Sequence, residues 1–296
     1  MPLATVDPAA FLDALQTEGG ASRLLPHGIA CQEHVVYGRG GEHELTLDLF
    51  DRHTRPERER PAIVFIHGGG WAGGDAKQFF GQAAYLSWKY GFYAVSVRYR
   101  LTDKAPFPAC LQDVKAAVRW VRARAERWNI DPERIAVAGG SAGGHLAAMV
   151  ALTPGVPDYE GDGGTPGISS HANAAVLFNP ALDLFTRAVR QGTKEAVRKL
   201  LQAEVADAPQ RFKDASPQFR LHPSAPPCLI LHGANDTTVP PEQATAFHSS
   251  AAELGVPCEL ELYPDVGHGW FNKAPHFWPT LQRLERFLAA RFHLQG

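Results

Sequence analysis

Residues 136–146 read AVAGGSAGGHL and place a single serine, Ser141, among four glycines. Glycine loses more conformational entropy on folding than any other residue, so a cluster of it marks backbone held where no side chain fits. The five residues from Gly139 to Gly143 match the pattern G-x-S-x-G, with an apolar run before them and the stretch HLAAMVAL after them. This context predicts a strand, a sharp turn and a helix, with the serine hydroxyl lifted out of the sheet as a nucleophile.

The alternative for this stretch is a glycine-rich helix entrance that holds a phosphate group. A P-loop would have a lysine after the glycines, and a dinucleotide-binding turn would have the spacing G-x-G-x-x-G. The sequence around Ser141 has neither feature. We therefore interpret Ser141 as a nucleophile.

The rest of the chain alternates short β-rich runs with helical segments. From the third run onward the β-rich runs are apolar nearly throughout, as expected of strands covered on both faces of a parallel sheet. The first two have no helix between them, so we expect them to form an antiparallel edge. The eight predicted strands are residues 33–38, 45–50, 62–67, 93–99, 135–140, 174–180, 228–233 and 258–264.

Apolar residues recur every three or four positions in residues 110–127 and 279–292, which predicts two helices that each pack one face on the sheet. We therefore expect a single α/β domain over residues 1–296, with a mostly parallel eight-stranded sheet and helices on both faces. Two segments interrupt the alternation. Residues 153–172 are rich in glycine and proline and predict a long surface loop, while residues 181–223 contain the helical stretch TKEAVRKLLQAEVADAP and form a candidate lid or a plain insertion.

The composition excludes several classes of protein. A formal net charge of −2 predicts no attraction to nucleic acid or to an anionic membrane surface. The four cysteines are widely spaced and form no CxxC pair, so we expect buried thiols and neither a zinc site nor a disulfide framework. The first residues show no basic stretch followed by an apolar core, so we expect a cytoplasmic protein as written, or a secreted one if a signal has been removed.

A serine hydroxyl is a weak nucleophile until a base removes its proton, so a histidine is required. His268 lies just past the last predicted strand and is flanked by two glycines, which sets it above the other histidines. The orienting carboxylate is predicted to be Asp236, after the seventh strand, because the order serine, acid, histidine is the one found with this turn. A helix-capping role is the alternative for Asp236, and Asp183 and Asp265 are the alternative acids.

Acyl transfer also needs hydrogen-bond donors aimed at the oxygen that becomes negative. The stretch VFIHGGGWAGGD follows the third predicted strand and contains Gly68, Gly69 and Gly70 in succession. Bare backbone N–H groups there could reach a substrate, and the N–H of Ala142 would complete an oxyanion hole. A loop that only turns the chain is the alternative for these glycines.

Four stretches carry a family resemblance: residues 67–71 (HGGGW), the turn around Ser141, residues 235–236 (ND) and residues 267–269 (GHG). Together they resemble the α/β-hydrolase superfamily of serine esterases, over a region that runs from about the third strand to the last helix. Within it the chain looks like small bacterial esterases akin to hormone-sensitive lipase and to the feruloyl and acetyl-xylan esterases. The resemblance implies that Ser141 is the nucleophile, His268 the base and Asp236 its acid partner. It also implies an oxyanion hole formed by Gly69, Gly70 and Ala142.

Two departures from the hormone-sensitive-lipase pattern favour the feruloyl-esterase-like branch. Gly140 stands directly before the nucleophile, where such lipases usually have an aspartate, and the first thirty residues show no counterpart of their helical cap. Access to the serine is then expected to depend on residues 153–172 and 181–223.

The sequence thus predicts a carboxylic ester hydrolase that works through an acyl-enzyme and needs no metal or organic cofactor. Trp71, Trp270 and Phe271 could wall a site for short acyl groups, or could equally belong to the core. The expected partner is a small-molecule ester or an acetylated or feruloylated carbohydrate. The alternatives are an amidase or peptidase with the same triad and a non-catalytic binding module; the oligomeric state is not predicted.

Overall fold

The computed structural model describes residues 22–25, 28–52 and 56–294. Nine strands in this part of the chain form one mixed sheet. In chain order the strands are β1 (Ser22–Leu25), β2 (Ile29–Gly40), β3 (His43–Arg52), β4 (Arg60–Ile66), β5 (Tyr93–Val97), β6 (Ile130–Gly140), β7 (Ala174–Phe178), β8 (Cys228–Gly233) and β9 (Cys258–Tyr263). Their order across the sheet is β1-β2-β3-β5-β4-β6-β7-β8-β9.

Ten α-helices connect or cover these strands within the described residues. They are α1 (Phe80–Tyr90), α2 (Ala109–Arg122), α3 (Ala125–Trp128), α4 (Ala142–Leu152), α5 (Pro157–Glu160), α6 (Phe185–Gln191), α7 (Glu195–Leu201), α8 (Pro209–Asp214), α9 (Glu242–Glu253) and α10 (Phe277–Phe292). Short 3-10 helices cover Ala76–Phe79 and Pro217–Phe219. No helix in these ranges is long and apolar enough to span a bilayer.

The sheet confirms the predicted α/β-hydrolase fold. All eight predicted strands are present. Across the sheet, neighbours from β1 to β5 pair antiparallel, in the order β1-β2-β3-β5, and neighbours from β5 to β9 pair parallel, in the order β5-β4-β6-β7-β8-β9. The predicted count is short by one, because the four-residue β1 at the sheet edge is too short to show a period. The predicted helix over 110–127 is divided, since the chain tightens at Ala123 and Arg124 between α2 and α3.

Two apolar layers cover the two faces of the sheet. Helices α2, α4 and α9 bury Val118, Met149 and Phe247 on one face. Helices α1 and α10 bury Leu86 and Phe287 on the other face. This arrangement explains why the central strands are apolar on both sides and why the long helices show a one-sided pattern.

Parallel pairing brings the carboxyl ends of β4, β6, β8 and β9 to one edge of the sheet. The loops and turns that follow these strands begin at His67, Ser141, Ala234 and Pro264. The sheet changes from antiparallel to parallel pairing at β5, which lies between β3 and β4. Ligands of open α/β sheets bind outside the carboxyl ends of the strands, so the fold directs all four loops towards one site.

Ion pairs between side chains hold the loop over residues 153–172 against α2. Glu160 receives hydrogen bonds at 2.8 Å from both Lys115 Nζ and Arg119 Nη1, and one at 2.7 Å from Ser170. Lys115 also donates to the Thr153 carbonyl. Both cations are buried, so this network joins the two ends of the loop to the body of the protein.

Residues 181–223, here called the cap segment, contain α6, α7 and α8 in place of a single long helix. The segment leaves the sheet after β7 and returns to β8. It therefore lies at the same strand ends as the four loops described above.

Candidate active site

Ser141 lies between β6 and α4 with φ 55° and ψ −115°, a backbone conformation that residues with side chains rarely adopt. Its neighbours explain the glycines. A Cβ on Gly143 would lie 2.1 Å from the Ile66 carbonyl oxygen, and one on Gly139 would lie 2.3 Å from the Gly143 carbonyl oxygen. The Ser141 N–H donates to the Phe178 carbonyl of β7 at 2.8 Å, which holds the turn in place.

Three predicted residues from three different loops meet at this turn. His268 Nε2 lies 2.8 Å from Ser141 Oγ, and His268 Nδ1 lies 2.6 Å from Asp236 Oδ2. A carboxylate can only accept from the imidazole, so the Nδ1 proton points to Asp236 and Nε2 is left to accept from the serine hydroxyl. This is the arrangement in which an imidazole can act as a base towards a hydroxyl.

The carboxylate of Asp236 is buried and has four donors. Besides His268, the N–H groups of Thr238 and Val239 each donate to Oδ1 at 2.9 Å, and His232 Nε2 lies 3.3 Å from Oδ2. Burial alone would raise the pKa of Asp236, but the hydrogen bonds from His232, His268 and Val239 outweigh it and hold the pKa well below its usual range. Asp236 is therefore a carboxylate at neutral pH.

The two alternative acids are not placed to orient His268. Asp183 Oδ1 accepts from the Thr186 N–H at 2.7 Å and so begins helix α6. Asp265 is exposed, with a positive φ of 60° in the turn after β9. Of the three predicted carboxylates, Asp236 is the one in contact with the imidazole.

The loop after β4 keeps two backbone donors unused. The Gly68 N–H donates to Gln78 Oε1 at 2.7 Å, whereas those of Gly69 and Gly70 donate to no acceptor among the described residues. The loop closes on itself, since the Gly69 carbonyl accepts from the Ala72 and Gly73 N–H groups. Gly70 lines the cavity at Ser141, and Gly69 is the residue directly before it in this loop.

Ala142 is the first residue of α4 and also lines this cavity. The first N–H groups of a helix have no acceptor within the helix, so that of Ala142 is available to an oxygen bound next to Ser141. The helix N-terminus adds a favourable field for negative charge at the same point.

Trp71 is fixed by a residue that the sequence analysis missed. Its indole Nε1 donates to His145 Nδ1 at 3.2 Å, and His145 Nε2 donates to the Ala215 carbonyl of the cap segment at 2.7 Å. Burial lowers the pKa of His145 to about 4, so the ring is neutral. His145 therefore connects the loop after β4, helix α4 and the cap segment through one buried ring.

Trp270 and Phe271, predicted as possible walls of an acyl site, lie in the core. Both are buried within the apolar layer of α1 and α10, and neither is among the described residues that line the cavity. The Phe271 ring fills the space beside Gly140, where a Cβ would lie 2.8 Å from its Cζ atom. This packing explains why a glycine, and no larger residue, precedes the serine.

A cavity of about 120 Å³ opens next to Ser141 and is mainly apolar. The cap segment supplies most of its wall. Its lining residues include Trp71, Ala142, Ala181, Leu184, Ala188, Ala196, Val197 and Val239. The expectation that residues 153–172 also control access is wrong, because that loop is tied to α2 and lines no part of this cavity within the described residues.

The cysteines lie away from the triad. Cys31, Cys110 and Cys228 are buried and Cys258 is partly buried, and no disulfide joins any two of these four residues. In the described parts of the chain, no group of three or more histidine, cysteine or acidic side chains is arranged to hold a metal ion.

Sequence reasoning missed two further residues beside the triad. His232 lies within strand β8 and Asn179 follows β7, where its Nδ2 lies 3.5 Å from His268 Nε2. Both are fully buried polar side chains in apolar surroundings. A polar residue inside an apolar run, such as the histidine of CLILHG, is the signal that could have found them.

Proteins similar to this chain include a described family and several esterases. Residues 47–251 match the family model described as BD-FAE. Esterase LipC of Mycobacterium tuberculosis is 32% identical over 268 residues, which are 87% of this chain and 64% of LipC. The probable carboxylic ester hydrolase LipM of the same organism is 36% identical over 280 residues, 88% of this chain and 60% of LipM. The chain thus spans less than two thirds of the length of these relatives.

A solved structure covers nearly the same extent as this chain. It is an esterase from the Planctomycetes species Thermogutta terrifontis with propionate bound. It is 34% identical, superposes with a TM-score of 0.76, and covers 92% of this chain and 97% of its own. The overall fold is therefore shared with an esterase of known structure.

Proposed function

We propose that this chain, which belongs to the BD-FAE family, is a carboxylic ester hydrolase. It would work through an acyl-enzyme on Ser141. The observation that carries the proposal is the unbroken contact from Ser141 Oγ through the His268 ring to the Asp236 carboxylate. The esterase names of LipC and LipM support the same reaction class.

In the first half of the reaction His268 Nε2 takes the hydroxyl proton while Ser141 Oγ attacks the ester carbonyl carbon. Asp236 holds the Nδ1 proton and stabilises the imidazolium that forms. The N–H groups of Gly69, Gly70 and Ala142 face the oxygen that becomes negative, where charge-assisted hydrogen bonds are strongest. The imidazolium then gives its proton to the leaving alcohol.

In the second half water takes the place of the alcohol. His268 removes a proton from the water, which attacks the acyl-serine, and the carboxylic acid leaves as Ser141 recovers its proton. The substrate, water and the three side chains supply and accept every proton and electron pair in the two half-reactions.

The size of the cavity favours a short acyl group. Pockets for drug-sized ligands measure roughly 300–1,000 Å³, well above the space next to Ser141. The Thermogutta terrifontis structure holds propionate, a three-carbon acid, which supports the same preference. The cap segment serves as the wall of this acyl site, with Trp71 opposite it; an acetylated or feruloylated carbohydrate remains a candidate for the alcohol half.

The test is hydrolysis of 4-nitrophenyl acetate, butyrate and octanoate, together with a peptide anilide, by the wild type and Ser141→Ala. We expect kcat/KM to peak at acetate or butyrate and to fall by about 10⁴-fold or more in Ser141→Ala. A peak at octanoate would contradict the short acyl group, and faster turnover of the anilide than of the esters would favour an amidase. Undiminished turnover in Ser141→Ala would overturn the whole proposal.

A further inference from the structure

We propose that Arg187 and Lys194 form an anion-recognising subsite in the cavity at Ser141, and that the preferred substrates are esters carrying a carboxylate group. The inference rests on the proposed ester hydrolysis and names the substrate class of that same site. Both cations belong to the cap segment, one within α6 and the other directly before α7.

The two side chains converge on one point of the cavity wall. Arg187 Nη1 donates to the Thr238 carbonyl at 2.6 Å, and Lys194 Nζ donates to the same oxygen at 3.2 Å. Thr238 is two residues beyond Asp236, and all three of Arg187, Lys194 and Thr238 line the cavity with Ser141. The positive charges therefore lie on the Asp236 side of the site.

Neither cation has a carboxylate partner within 4.0 Å in the described ranges. Arg198, on the same segment, shows the contrast, because it pairs with both Glu195 and Glu204. Burial and the nearby Arg187 charge lower the pKa of Lys194, as expected for a cation near another cation. An anion bound between the two side chains would reverse that effect.

Two carboxylates face the same region, and both are engaged elsewhere. Asp183 lines the cavity but accepts from the Thr186 N–H, and Asp236 is taken by its two histidines and by backbone N–H groups. Neither forms an ion pair with Arg187 or Lys194 within the described chain. The cations are therefore free to act on a substrate.

Arg187 also has an unused donor. A guanidinium carries five N–H donors, and the Arg187 Nε atom is buried with no acceptor among the described residues. A buried charged donor without an acceptor is unfavourable, so the site favours a ligand that supplies one. A carboxylate suits a guanidinium because it can accept two parallel N–H bonds, and Lys194 would add a point charge.

The rest of the cavity wall explains why the anion should be part of an ester and not of a larger polar ligand. Apart from the two cations, the wall facing Ser141 is largely alanine, leucine and valine. A short apolar spacer that ends in a carboxylate matches this combination. The substrate class is thus a monoester of a short dicarboxylic acid, or an ester whose alcohol half bears the carboxylate.

The experiment uses two pairs of substrates of similar shape, one member of each pair being an anion and the other neutral. Monomethyl succinate and methyl 4-methylpentanoate place a carboxylate or an isopropyl group of the same shape on the acyl half. The anion of 4-acetoxybenzoic acid and its methyl ester do the same for the alcohol half. We expect wild-type kcat/KM to favour the anionic member of at least one pair by about tenfold, the usual scale of one charge-assisted contact.

The variants assign that preference to the two cations. The double variant Arg187→Gln with Lys194→Gln should lose the preference, Arg187→Lys should keep part of it, and Arg190→Gln, an exposed arginine of the same helix, should keep all of it. If the double variant does not fold, Lys194→Gln alone and a salt titration of the wild type decide, since screening should reduce the preference as NaCl rises.

The outcomes separate this inference from the proposed function. Hydrolysis of the neutral esters without a charge preference in either pair overturns the inference and leaves the esterase standing. A preference that survives in the double variant, or that is unaffected by both Lys194→Gln and salt, also overturns it. Failure of the wild type to hydrolyse any of the four esters contradicts the proposed function itself.

Discussion

The ends of the parallel strands and the cap segment contribute to the same cavity in different ways. At the strand ends the backbone is packed so closely that a single added Cβ on Gly69, Gly139 or Gly143 would lie 2.1–2.3 Å from a carbonyl oxygen. The cap segment instead consists of three short helices held by side-chain contacts to backbone carbonyls, such as those of Arg187 and His145. In the function proposed here, the reaction chemistry therefore depends on topology, while substrate choice depends on side chains of the cap segment.

Among substitutions that preserve the shape of the side chain, we expect the largest loss of activity from Asp236→Asn at the strand ends. The amide cannot hold the Nδ1 proton of His268 as the carboxylate does, so kcat should fall by about 10³–10⁴-fold. Steady-state hydrolysis of 4-nitrophenyl acetate measures it. Asp183→Asn in the cap segment is the matched control, and a larger loss there than at Asp236 would break the comparison between the two regions.

The next effect concerns the backbone of the loop after β4. In Gly69→Ala the new Cβ would lie 2.2 Å from the Gly73 carbonyl oxygen, so the loop must shift and its N–H donors with it. We expect kcat to fall by about 10²–10³-fold, the usual scale of a lost oxyanion donor.

Gly73→Ala is the control in the same loop, because its Cβ would meet nothing closer than 3.9 Å and its φ is not positive. Circular dichroism should show both variants folded. Equal activity in the two variants would mean that the tight packing of this loop has no part in the reaction.

A smaller effect is expected for His232, which supports Asp236 from within β8. His232 Nε2 lies 2.9 Å from the Val239 carbonyl, which can only accept, so this nitrogen carries the proton and also faces Asp236. In His232→Leu the carboxylate loses one donor and draws more strongly on the imidazolium proton of His268. We expect kcat/KM to fall about tenfold and the acidic limb of its pH profile to move to higher pH, on the scale of one hydrogen bond to a charged group.

His232→Gln keeps a donor and separates positioning from packing. It should restore the acidic limb of the pH profile towards the wild-type position. If the limb is the same in the wild type and in His232→Leu, His232 is a packing residue only.

The last effect is on stability and not on the reaction rate, and it tests the link between the two regions at His145. Its folded pKa of about 4 lies below the value of roughly 6.5 for an unfolded histidine. Between these values the unfolded chain binds a proton that the folded chain does not, so the free energy of unfolding decreases as the pH falls from about 6.5 to 4. The full decrease from this group is on the order of 3 kcal/mol.

Urea unfolding of the wild type and His145→Gln at several pH values between 7 and 4.5 measures this contribution. The free energy of unfolding of His145→Gln should depend less steeply on pH over that range. Parallel curves for the two proteins would mean that the buried ring does not connect the cap segment to helix α4 in the way described.

Much of the strand-end region was predictable from the sequence. The glycines around Ser141 report the close approach of backbone to backbone, and parallel strands necessarily bring Asp236 and His268 to the same edge of the sheet. The role of Gly68 was not predictable, because its N–H is taken by Gln78, whose position depends on the 3-10 helix ten residues later.

The cap segment and the aromatic residues were predicted less well. The sequence near a motif does not show whether an aromatic side chain faces a cavity or the core. Phe271 belongs to the core and contacts Gly140 from that side. Arg187 and Lys194 are two of 29 lysine and arginine residues, and only the tertiary structure shows that they lack carboxylate partners among the described residues. The glycines and prolines of residues 153–172 predict a long surface loop, but they do not show that the buried Lys115 and Arg119 hold it through Glu160.

The central claim is that Ser141 is a nucleophile activated by His268 and Asp236. The most direct test is to expose the wild type and Ser141→Ala to a fluorophosphonate, measure the intact masses, and map the modified peptide. The account predicts one adduct per chain on Ser141, none on Ser141→Ala, and much slower labelling of Asp236→Asn. An unlabelled wild type, or an adduct on another residue, would contradict it.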